Sequence, residues 1–488
     1  MVNFCLVAAA EDDSPLADAS ERQQWDRLST LLSAGSDPNA VQIDGMTALH
    51  WAAYHDHVAA VKELLSNQAD SNAKNRYEVT PLALACENGN ADIVELLLKA
   101  GANKEAELRG GPTPLMIAAR TGRLKPVQLL LQYKADVKDT EWHGQTALMW
   151  AASSGNADVV NALLKAGADR ERKLKSGFTP LFFAVRDGQT DVVMALLAAG
   201  DDVNCTMDTK RSGGKNPRKG MSPLVLAVEN GHFELAVKLL EAGADPDDQR
   251  SGFTALHTIT WVRKPNRGDN PEGDPSPIGS GNLTSLQFVR KLVEHGANVN
   301  VRLKGGKSGR GRLNHDGATP FLFAADTADV PLMELLLELG ADPHLPNADD
   351  CPPLLAAAGI GSIAPGEEAG TAEEALEAVK LLLSLGADIN TVDKNGETAV
   401  HGAAYKCLPG MVKFLAASGA DINVWNRPNK HKWTPLLISQ GYRPGNFKPA
   451  PATIAAIEEV MRAKGVEPPT PPQRGPKNED QYATPKAK

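Results

Sequence analysis

Short apolar stripes with helical spacing recur along almost the whole chain, separated by polar stretches rich in glycine, aspartate and asparagine. In "TPLALACENGNADIVELLLKAGA", which begins at Thr80, an apolar run follows a Thr-Pro pair, and a second run places "IV-x-x-LL" on one helical face. Threonine accepts hydrogen bonds from first-turn amides, proline fits the first helical position, and glycine permits a left-handed helix end. The pattern therefore predicts two short helices joined by a turn.

This two-helix pattern is an internal repeat with a constant interval. Thr47, Thr80, Thr113, Thr146 and Thr179 are each 33 residues apart. Further copies open at Ser222, Thr254, Thr319, Pro352, Thr398 and Thr434, and a degenerate first unit opens at Ser14. Full units close with variants of "GADxN". Because one helix pair cannot bury its apolar stripe alone, stacked copies predict a solenoid with a continuous core.

The openings ("TALHWAA", "TPLMIAA", "TALMWAA") and the "GADxN" closings together resemble the ankyrin repeat, over residues 14–465. The resemblance implies an all-α solenoid of about 11–12 helix–turn–helix units joined by β-hairpin fingers. Several units are most similar to those of bacterial ankyrin repeat proteins. In this family the histidine of "TALH", here His50, His257 and His401, has a structural role beside the capping threonine.

Four insertions and two chain ends depart from the repeat. The predicted organisation is a lead-in at 1–13, a solenoid at 14–465 with insertions near 207–220, 263–282, 303–317 and 359–372, and a disordered Pro-rich tail at 466–488. The insertions near 207–220 and 303–317 are basic and Gly-rich, whereas that near 359–372 is interpreted as a plain loop. "MVNFCLVAAA" resembles the end of a secretory signal but lacks a basic start, so exported and cytoplasmic locations both stay open.

Composition and motifs exclude several classes of function. The formal net charge of −9 argues against a nucleic-acid partner, and no apolar run is long enough to span a membrane. The five cysteines are far apart and suggest neither a disulfide framework nor a zinc site. The sequence has no GxSxG, HExxH or nucleotide-binding loop. We therefore predict a chain that is not an enzyme, with no catalytic residues, no metal and no cofactor.

The expected function is a protein-interaction scaffold that binds an unknown protein through its concave face and fingers, as a monomer. Large aromatic residues and arginine dominate interface energies, and these types recur in consecutive fingers. The predicted contact residues are Tyr54, His55, Arg76, Tyr77, Arg109, Arg120, Trp142, His143, Arg172, Lys173, Lys175, Trp425 and Trp433. The fifth residues of the openings (Trp51, Leu84, Ile117, Trp150, Phe183, Leu226, Phe323 and Ile438) are interpreted as packing. The alternative is a secreted or periplasmic protein that binds an acidic protein or glycan through its basic insertions.

Overall fold

The structure is a computed structural model that describes residues 14–209, 219–267, 275–305, 313–443, 445 and 448–470. These described ranges contain 25 helices and no β-strand. The lead-in at 1–13, the tail beyond residue 470 and the tips of the two basic insertions, 210–218 and 306–312, lie outside these ranges. The chain divides into two compact units, residues 1–227 and 228–488, and the division falls within one helix.

Unit 1 is a stack of helix pairs in which helices from α1 to α12 contact their counterparts in the next pair. Its helices are α1 (Pro15–Glu21), α2 (Trp25–Ser33), α3 (Ala48–Tyr54), α4 (Val58–Ser66), α5 (Pro81–Asn88), α6 (Ala91–Lys99), α7 (Pro114–Thr121), α8 (Leu124–Gln132), α9 (Ala147–Ser153), α10 (Ala157–Lys165), α11 (Pro180–Arg186), α12 (Thr190–Ala198) and α13 (Pro223–Glu229), which unit 2 shares. The odd-numbered helices bury alanine and leucine almost completely. Small side chains let these helices approach closely, so the core runs through the whole stack.

Unit 2 continues the pairing with longer connections. Its helices are α14 (Phe233–Glu241), α15 (Ala255–Arg263), α16 (Ser285–Glu294), α17 (Pro320–Asp326), α18 (Val330–Glu338), α19 (Pro353–Ala358), α20 (Ala372–Ser384), α21 (Ala399–Tyr405), α22 (Pro409–Ala417), α23 (Ile422–Trp425), α24 (Pro435–Ser439) and α25 (Pro451–Ala463). Helices α15, α17, α19, α21 and α24 form one row of contacts. Two insertions therefore separate the helices of single pairs, α15 from α16 and α19 from α20.

The opening threonines start their helices as the sequence predicts. The Thr80 hydroxyl accepts a hydrogen bond from the Ala83 amide (3.2 Å), and Thr319 accepts one from Leu322 (3.2 Å). Thr113 is an exception, since its buried hydroxyl has no hydrogen-bond partner. A cap of this kind stabilises a helix by about 1 kcal/mol, so the repeats differ in how firmly their first helices begin.

Closing asparagines tie several of the repeats to the next. The Asn72 side chain donates to the Gly101 carbonyl (3.1 Å) and accepts from the Asn103 amide (2.6 Å). In unit 2 the Asn300 side chain makes the same two bonds, to the carbonyl of Gly340 (3.0 Å) and the amide of Asp342 (2.8 Å). The "N" of "GADxN" is therefore an inter-repeat spacer, which explains why this position repeats.

The "TALH" histidines join their own threonine to the next finger. His257 Nδ1 lies 2.8 Å from the Thr254 hydroxyl, and its Nε2 lies 3.2 Å from the Ala318 carbonyl. Because a carbonyl only accepts, Nε2 carries the proton and Nδ1 accepts from the hydroxyl. His50 and His401 make the equivalent bonds, so all three histidines have the structural role that the resemblance implies.

Neighbouring fingers are joined through their backbones. The Arg76 amide donates to the Asp44 carbonyl (2.9 Å), and the Arg109 amide donates to the Tyr77 carbonyl (3.4 Å). In unit 2 the Lys394 amide donates to the Asp349 carbonyl (2.9 Å). Each finger folds on a tight turn. These bonds hold the joined fingertips side by side through backbone atoms alone.

Both basic insertions grow from paired stems. Met207 and Met221 are joined by a backbone hydrogen bond (2.9 Å), and Leu303 and Ala318 by another (3.0 Å). Each stem sits where an ordinary finger would begin. The insertions are therefore extensions of fingers.

One ion pair in unit 2 is largely buried. The Arg263 guanidinium binds Asp329 through two hydrogen bonds of 2.7 and 2.9 Å, and it also donates to the Ser285 hydroxyl (2.6 Å). Asp329 is fully buried and also accepts from the Leu332 amide at the start of α18. The pair joins α15, α16 and α18. By contrast, Arg290 of α16 pairs with Glu338 of α18, and both of these side chains are about half exposed.

Candidate functional site

Eight side chains from four consecutive fingers of unit 1 form an exposed row, which we name the finger edge. Its members are Arg76, Tyr77, Arg109, Trp142, His143, Arg172, Lys173 and Lys175, and all are exposed. Tyr77 and Trp142 are two of the few large hydrophobic residues exposed in the described chain, at 49% and 74%. A backbone bond from Arg109 to Tyr77 joins the first two fingers of the row, and all eight side chains are exposed as expected from the sequence. Their role as partner contacts stays a prediction.

Trp142 lies across the neighbouring finger. A Cβ added to Gly111 would come within 2.8 Å of Trp142 Cδ1 and 3.1 Å of Glu141 Cα, so only glycine fits beneath the indole. Gly111 also adopts a positive φ of 90°, which favours glycine on its own account. The indole is therefore supported on one side and open to solvent on the other.

His143 is fixed from below by a buried carboxylate. Glu141 accepts the His143 amide (2.9 Å), the His143 ring Nδ1 (2.8 Å) and the Gln145 amide (2.9 Å). Burial acts to raise the pKa of Glu141, but these hydrogen bonds outweigh it and leave the pKa below its usual value. An ionised Glu141 thus holds the finger turn and directs the exposed imidazole outward.

Contacts within its own finger fix the position of Tyr77. The Asn75 side chain accepts from the amides of Tyr77 (2.9 Å) and Val79 (3.0 Å) and so closes the turn. The Arg76 guanidinium lies 5.0 Å from the centre of the Tyr77 ring, a cation–π distance. Arg76 and Tyr77 therefore present one combined cationic and aromatic feature.

The finger edge is basic. Arg76, Arg109 and Lys175 occupy the same tip position in three different fingers, with Trp142 at that position in the finger between the last two. Arg172 and Lys173 add two more exposed cations to the last finger. This row has the chemistry to contact carboxylates and apolar groups at once, although the chain as a whole is acidic.

Two residues predicted beside this row are held by contacts within the chain. The Arg120 guanidinium makes two bonds to Glu87 (2.6 and 2.7 Å) and lies 5.4 Å from the Trp150 ring centre. His55 contacts the Glu21 carbonyl (3.1 Å) and is half buried. Tyr54 is 52% exposed and accessible. Of the three, Tyr54 fits the predicted role best.

The predicted pair in the last fingers of unit 2 is corrected by the structure. Trp425 is only 2% exposed, because the segment after α22 forms the one-turn helix α23 and turns the indole into the core. The prediction of an exposed contact is therefore wrong for Trp425. Trp433 is half buried and packs against His431, with ring centres 4.8 Å apart.

The apolar fifth positions of the openings are mostly core. The interpretation as packing holds for the buried members Ile117, Phe183, Leu226, Phe323 and Ile438, whereas Trp51, Leu84 and Trp150 are partly exposed. Trp51 donates its indole N–H to the Gln42 side chain (2.7 Å). The Trp150 N–H is buried with no hydrogen-bond partner. These partly exposed rings line the first-helix side of unit 1 next to Tyr54 and Arg120.

A buried polar network in unit 2 has the composition of a catalytic group but is closed on itself. Glu397 accepts from the Tyr405 hydroxyl (2.8 Å) and the Asn429 side chain (2.9 Å), and Asn429 also lies 3.0 Å from that hydroxyl. Burial and the nearby Asp393 raise the pKa of Glu397 to about 7. All three side chains are buried. The network joins the end of α21 to the following finger, which is a structural role.

The repeat geometry agrees with the comparisons. A family model described as "Ankyrin repeats (3 copies)" matches residues 16–108, 104–173, 181–262 and 369–445, and a model described as "Ankyrin repeat" matches residues 316–348. The chain belongs to the ankyrin repeat family. The matched segments include both units and leave out most of the insertion between α15 and α16.

Curated relatives match this ankyrin repeat protein over short segments. An ankyrin repeat protein of Fowlpox virus (strain NVSL) is 46% identical over 50 residues, covering 10% of this chain and 12% of that protein. Alpha-latroinsectotoxin-Lt1a of Latrodectus tredecimguttatus is 32% identical over 114 residues, covering 23% and 7%. The B-cell lymphoma 3 protein homolog of Mus musculus is 34% identical over 130 residues, covering 27% and 26%. The chain thus spans about a quarter or less of each relative.

Ankyrin repeats imply a role in protein–protein interaction, and the family is generally a non-enzymatic interaction module. Within the described ranges, no group of three or more histidine, cysteine, aspartate or glutamate residues is placed to hold a metal ion. Among the described helices, none has the length and apolar character needed to cross a bilayer. The finger edge is the surface of unit 1 that best combines exposure, order and interface chemistry.

Proposed function

We propose that this ankyrin repeat protein is a binding scaffold whose finger edge holds a partner protein through an acidic segment with apolar residues. The observation that carries the proposal is the order of the row: cations at the tips of three fingers, and a supported but open indole between two of them. Tryptophan, tyrosine and arginine are the residues whose truncation costs most at interfaces.

The supports beneath the row favour binding over chance exposure. Gly111 supports Trp142, Glu141 directs His143, and Asn75 sets the turn that carries Tyr77. Because these side chains are ordered before binding, little conformational entropy is lost when a partner docks. Flexible surface residues lack such supports.

The test is affinity capture from a lysate of the source organism, with the intact chain as bait. The finger variant carries Tyr77→Ala, Arg109→Ala and Trp142→Ala. The matched control carries Lys62→Ala, Asn161→Ala and Lys165→Ala, which removes the same number of exposed side chains from the second helices of unit 1. Far-UV circular dichroism checks that both variants keep the helical fold.

We expect the finger variant to lose the captured partner and the control to retain it. One hot-spot truncation of about 2 kcal/mol weakens binding roughly 30-fold, so the triple variant should fall below detection for a micromolar complex. Raising the salt concentration should also weaken the wild-type complex, since exposed charges are screened. Equal capture by the finger variant and the wild type would show that the finger edge is not the binding surface.

A further inference from the structure

Unit 2 contains a cavity of about 580 Å³ that none of the features above accounts for. It lies where the end of α17 and the end of α21 meet the loop 359–371, which separates α19 from α20. The stem of the second basic finger closes another side. Cavities that hold small ligands or single side chains are typically of this size.

The loop 359–371 is a built wall. The Glu368 carboxylate accepts from the amides of Ile363 (2.7 Å) and Ala364 (3.0 Å) and from the Ser362 hydroxyl, so the loop is closed by its own side chain. A carboxylate with three such donors is satisfied and needs no further partner. The insertion is a loop, as its sequence suggests, and it also forms one wall of the cavity.

Two glycines bring the wall against its neighbours. Gly361 has a φ of 97°, and a Cβ added there would lie 2.4 Å from the Leu313 nitrogen. Gly370 has a φ of 78°, and a Cβ there would lie 2.9 Å from the Thr327 carbonyl oxygen. The loop backbone thus contacts both the finger stem and the turn after α17. These contacts fix the cavity's shape.

Asp326 faces this cavity without a counter-charge in contact. It is mostly buried at the end of α17, and no hydrogen bond or ion pair from the described residues reaches its carboxylate. Burial raises its pKa to about 7, with Lys406 acting to lower that pKa and Glu368 acting to raise it. The buried Lys406 ammonium donates instead to the Ala369 carbonyl (3.2 Å).

The charges around the cavity favour a cation. Among the described residues that line the cavity, three carboxylates, Asp326, Glu367 and Glu368, face one ammonium, Lys406. The other titratable side chain of that described lining is His315, whose ring packs against Phe323 and the finger base. An anion would meet three like charges, and a bare metal ion would lack a cluster of ligands among the described side chains. An organic cation meets neither difficulty.

We propose that this cavity binds an organic cation, a primary ammonium or a guanidinium, with Asp326 as its counter-ion. The cation is either a lysine or arginine side chain of a bound protein or a free small amine. The site is in unit 2 and does not depend on the finger edge. Because Asp326 must be ionised to serve as counter-ion, affinity should rise about tenfold between pH 6 and pH 8.

The test uses the intact chain and isothermal titration calorimetry at pH 8. The cationic probes are N-acetyl-lysine methylamide, N-acetyl-arginine methylamide and putrescine, and the neutral probe is N-acetyl-norleucine methylamide. Asp326→Asn removes the counter-ion with little change in shape. Glu377→Gln, an exposed position on α20, is the matched control for loss of one carboxylate.

We expect at least one cationic probe to bind, the neutral probe not to bind, and Asp326→Asn to weaken binding at least tenfold while Glu377→Gln leaves it unchanged. The affinity of the wild type for the cationic probe should be about tenfold lower at pH 6 than at pH 8, and the affinity of Asp326→Asn should not change between these pH values. Preference for the blocked amino acids would identify a protein side chain as the source, and preference for putrescine a free amine.

A second variant guards against a folding defect in the first. Glu367→Arg places a competing cation on an exposed part of the loop and should weaken binding at least threefold without touching the core. No binding of any cationic probe, or unchanged affinity in Asp326→Asn, would overturn the proposal.

Discussion

The buried His257 makes a specific prediction about pH. Its pKa is lowered to about 3, first by burial and also by the nearby His315, against the opposing effect of its hydrogen bond to the Ala318 carbonyl. The folded chain therefore keeps His257 neutral down to low pH, while the unfolded chain protonates it near pH 6.5. Stability from this residue is present above pH 6.5 and is lost as the pH falls from 6.5 toward 3.

The perturbation is His257→Leu, which removes the titrating ring and both of its hydrogen bonds. At pH 7.5 we expect a loss of about 1–3 kcal/mol, because the Ala318 carbonyl and the Thr254 hydroxyl are left without this partner. Between pH 6.5, the pKa of histidine in the unfolded chain, and pH 5.0, the free energy of unfolding of the wild type falls by about 2 kcal/mol because of His257, since 1.5 pH units correspond to about 2 kcal/mol. The variant has no histidine at this position and does not lose this stability. The difference between the two proteins should therefore shrink by about 2 kcal/mol.

The assay is amide hydrogen exchange of the segment 255–263 in the intact chain, at pH 7.5 and pH 5.0 after correction for intrinsic rates. Two kcal/mol corresponds to roughly a 30-fold change in relative protection. Other titrating groups, such as the buried carboxylates of unit 2, are present in both proteins and cancel in this comparison. A wild-type-to-variant difference that is the same at both pH values would refute the account of His257 as a residue kept neutral by burial.

Three further predictions concern stability, measured by urea unfolding followed by far-UV circular dichroism. Thr80→Ala should cost about 1 kcal/mol, whereas Thr113→Ala should cost clearly less because its hydroxyl caps nothing; equal losses would contradict the capping assignment. Asp329→Asn should cost about 3 kcal/mol by leaving the largely buried Arg263 guanidinium without its charged partner, and Arg290→Ala, which removes an exposed pair, less than about 1 kcal/mol. Folding raises the pKa of Glu397 to about 7, so its ionisation destabilises the fold as the pH rises from 4.5 to 7. The free energy of unfolding of Glu397→Gln should therefore rise by about 3 kcal/mol relative to that of the wild type between pH 4.5 and pH 8. A difference between the two proteins that stays constant with pH would count against this.

The scaffold could be predicted because its determinants are local. A capping threonine acts on an amide three residues away, and the closing asparagine recurs at a fixed interval. Exposure of the finger edge followed from the same regularity, since tip positions repeat with the unit. Such features depend on a few neighbouring residues, and the repeat displays them many times over.

The features that the sequence did not predict have two kinds of cause, contacts across long sequence separations and one local departure from the repeat. Arg120 pairs with Glu87 from the preceding unit, 33 residues earlier, and the pattern gives no sign that these two will meet. Trp425 is buried because "DINVW" starts a helical turn at Asp421 where other repeats have an open finger. The cavity needs the loop 359–371, α17, α21 and a finger stem together, and no single one of these segments shows it.

The paired stems beneath the two basic insertions separate the length of a finger from the packing of the repeats. One stem is closed by the bond between Met207 and Met221 and the other by the bond between Leu303 and Ala318. Each stem joins its insertion to the solenoid at the same two points, whatever the length of the insertion. Doubling the length of a flexible loop costs only about 0.6 kcal/mol of closure entropy. These two positions are therefore natural acceptors for grafted epitopes or reporter peptides, and they let the chain gain new sequences without rebuilding its core.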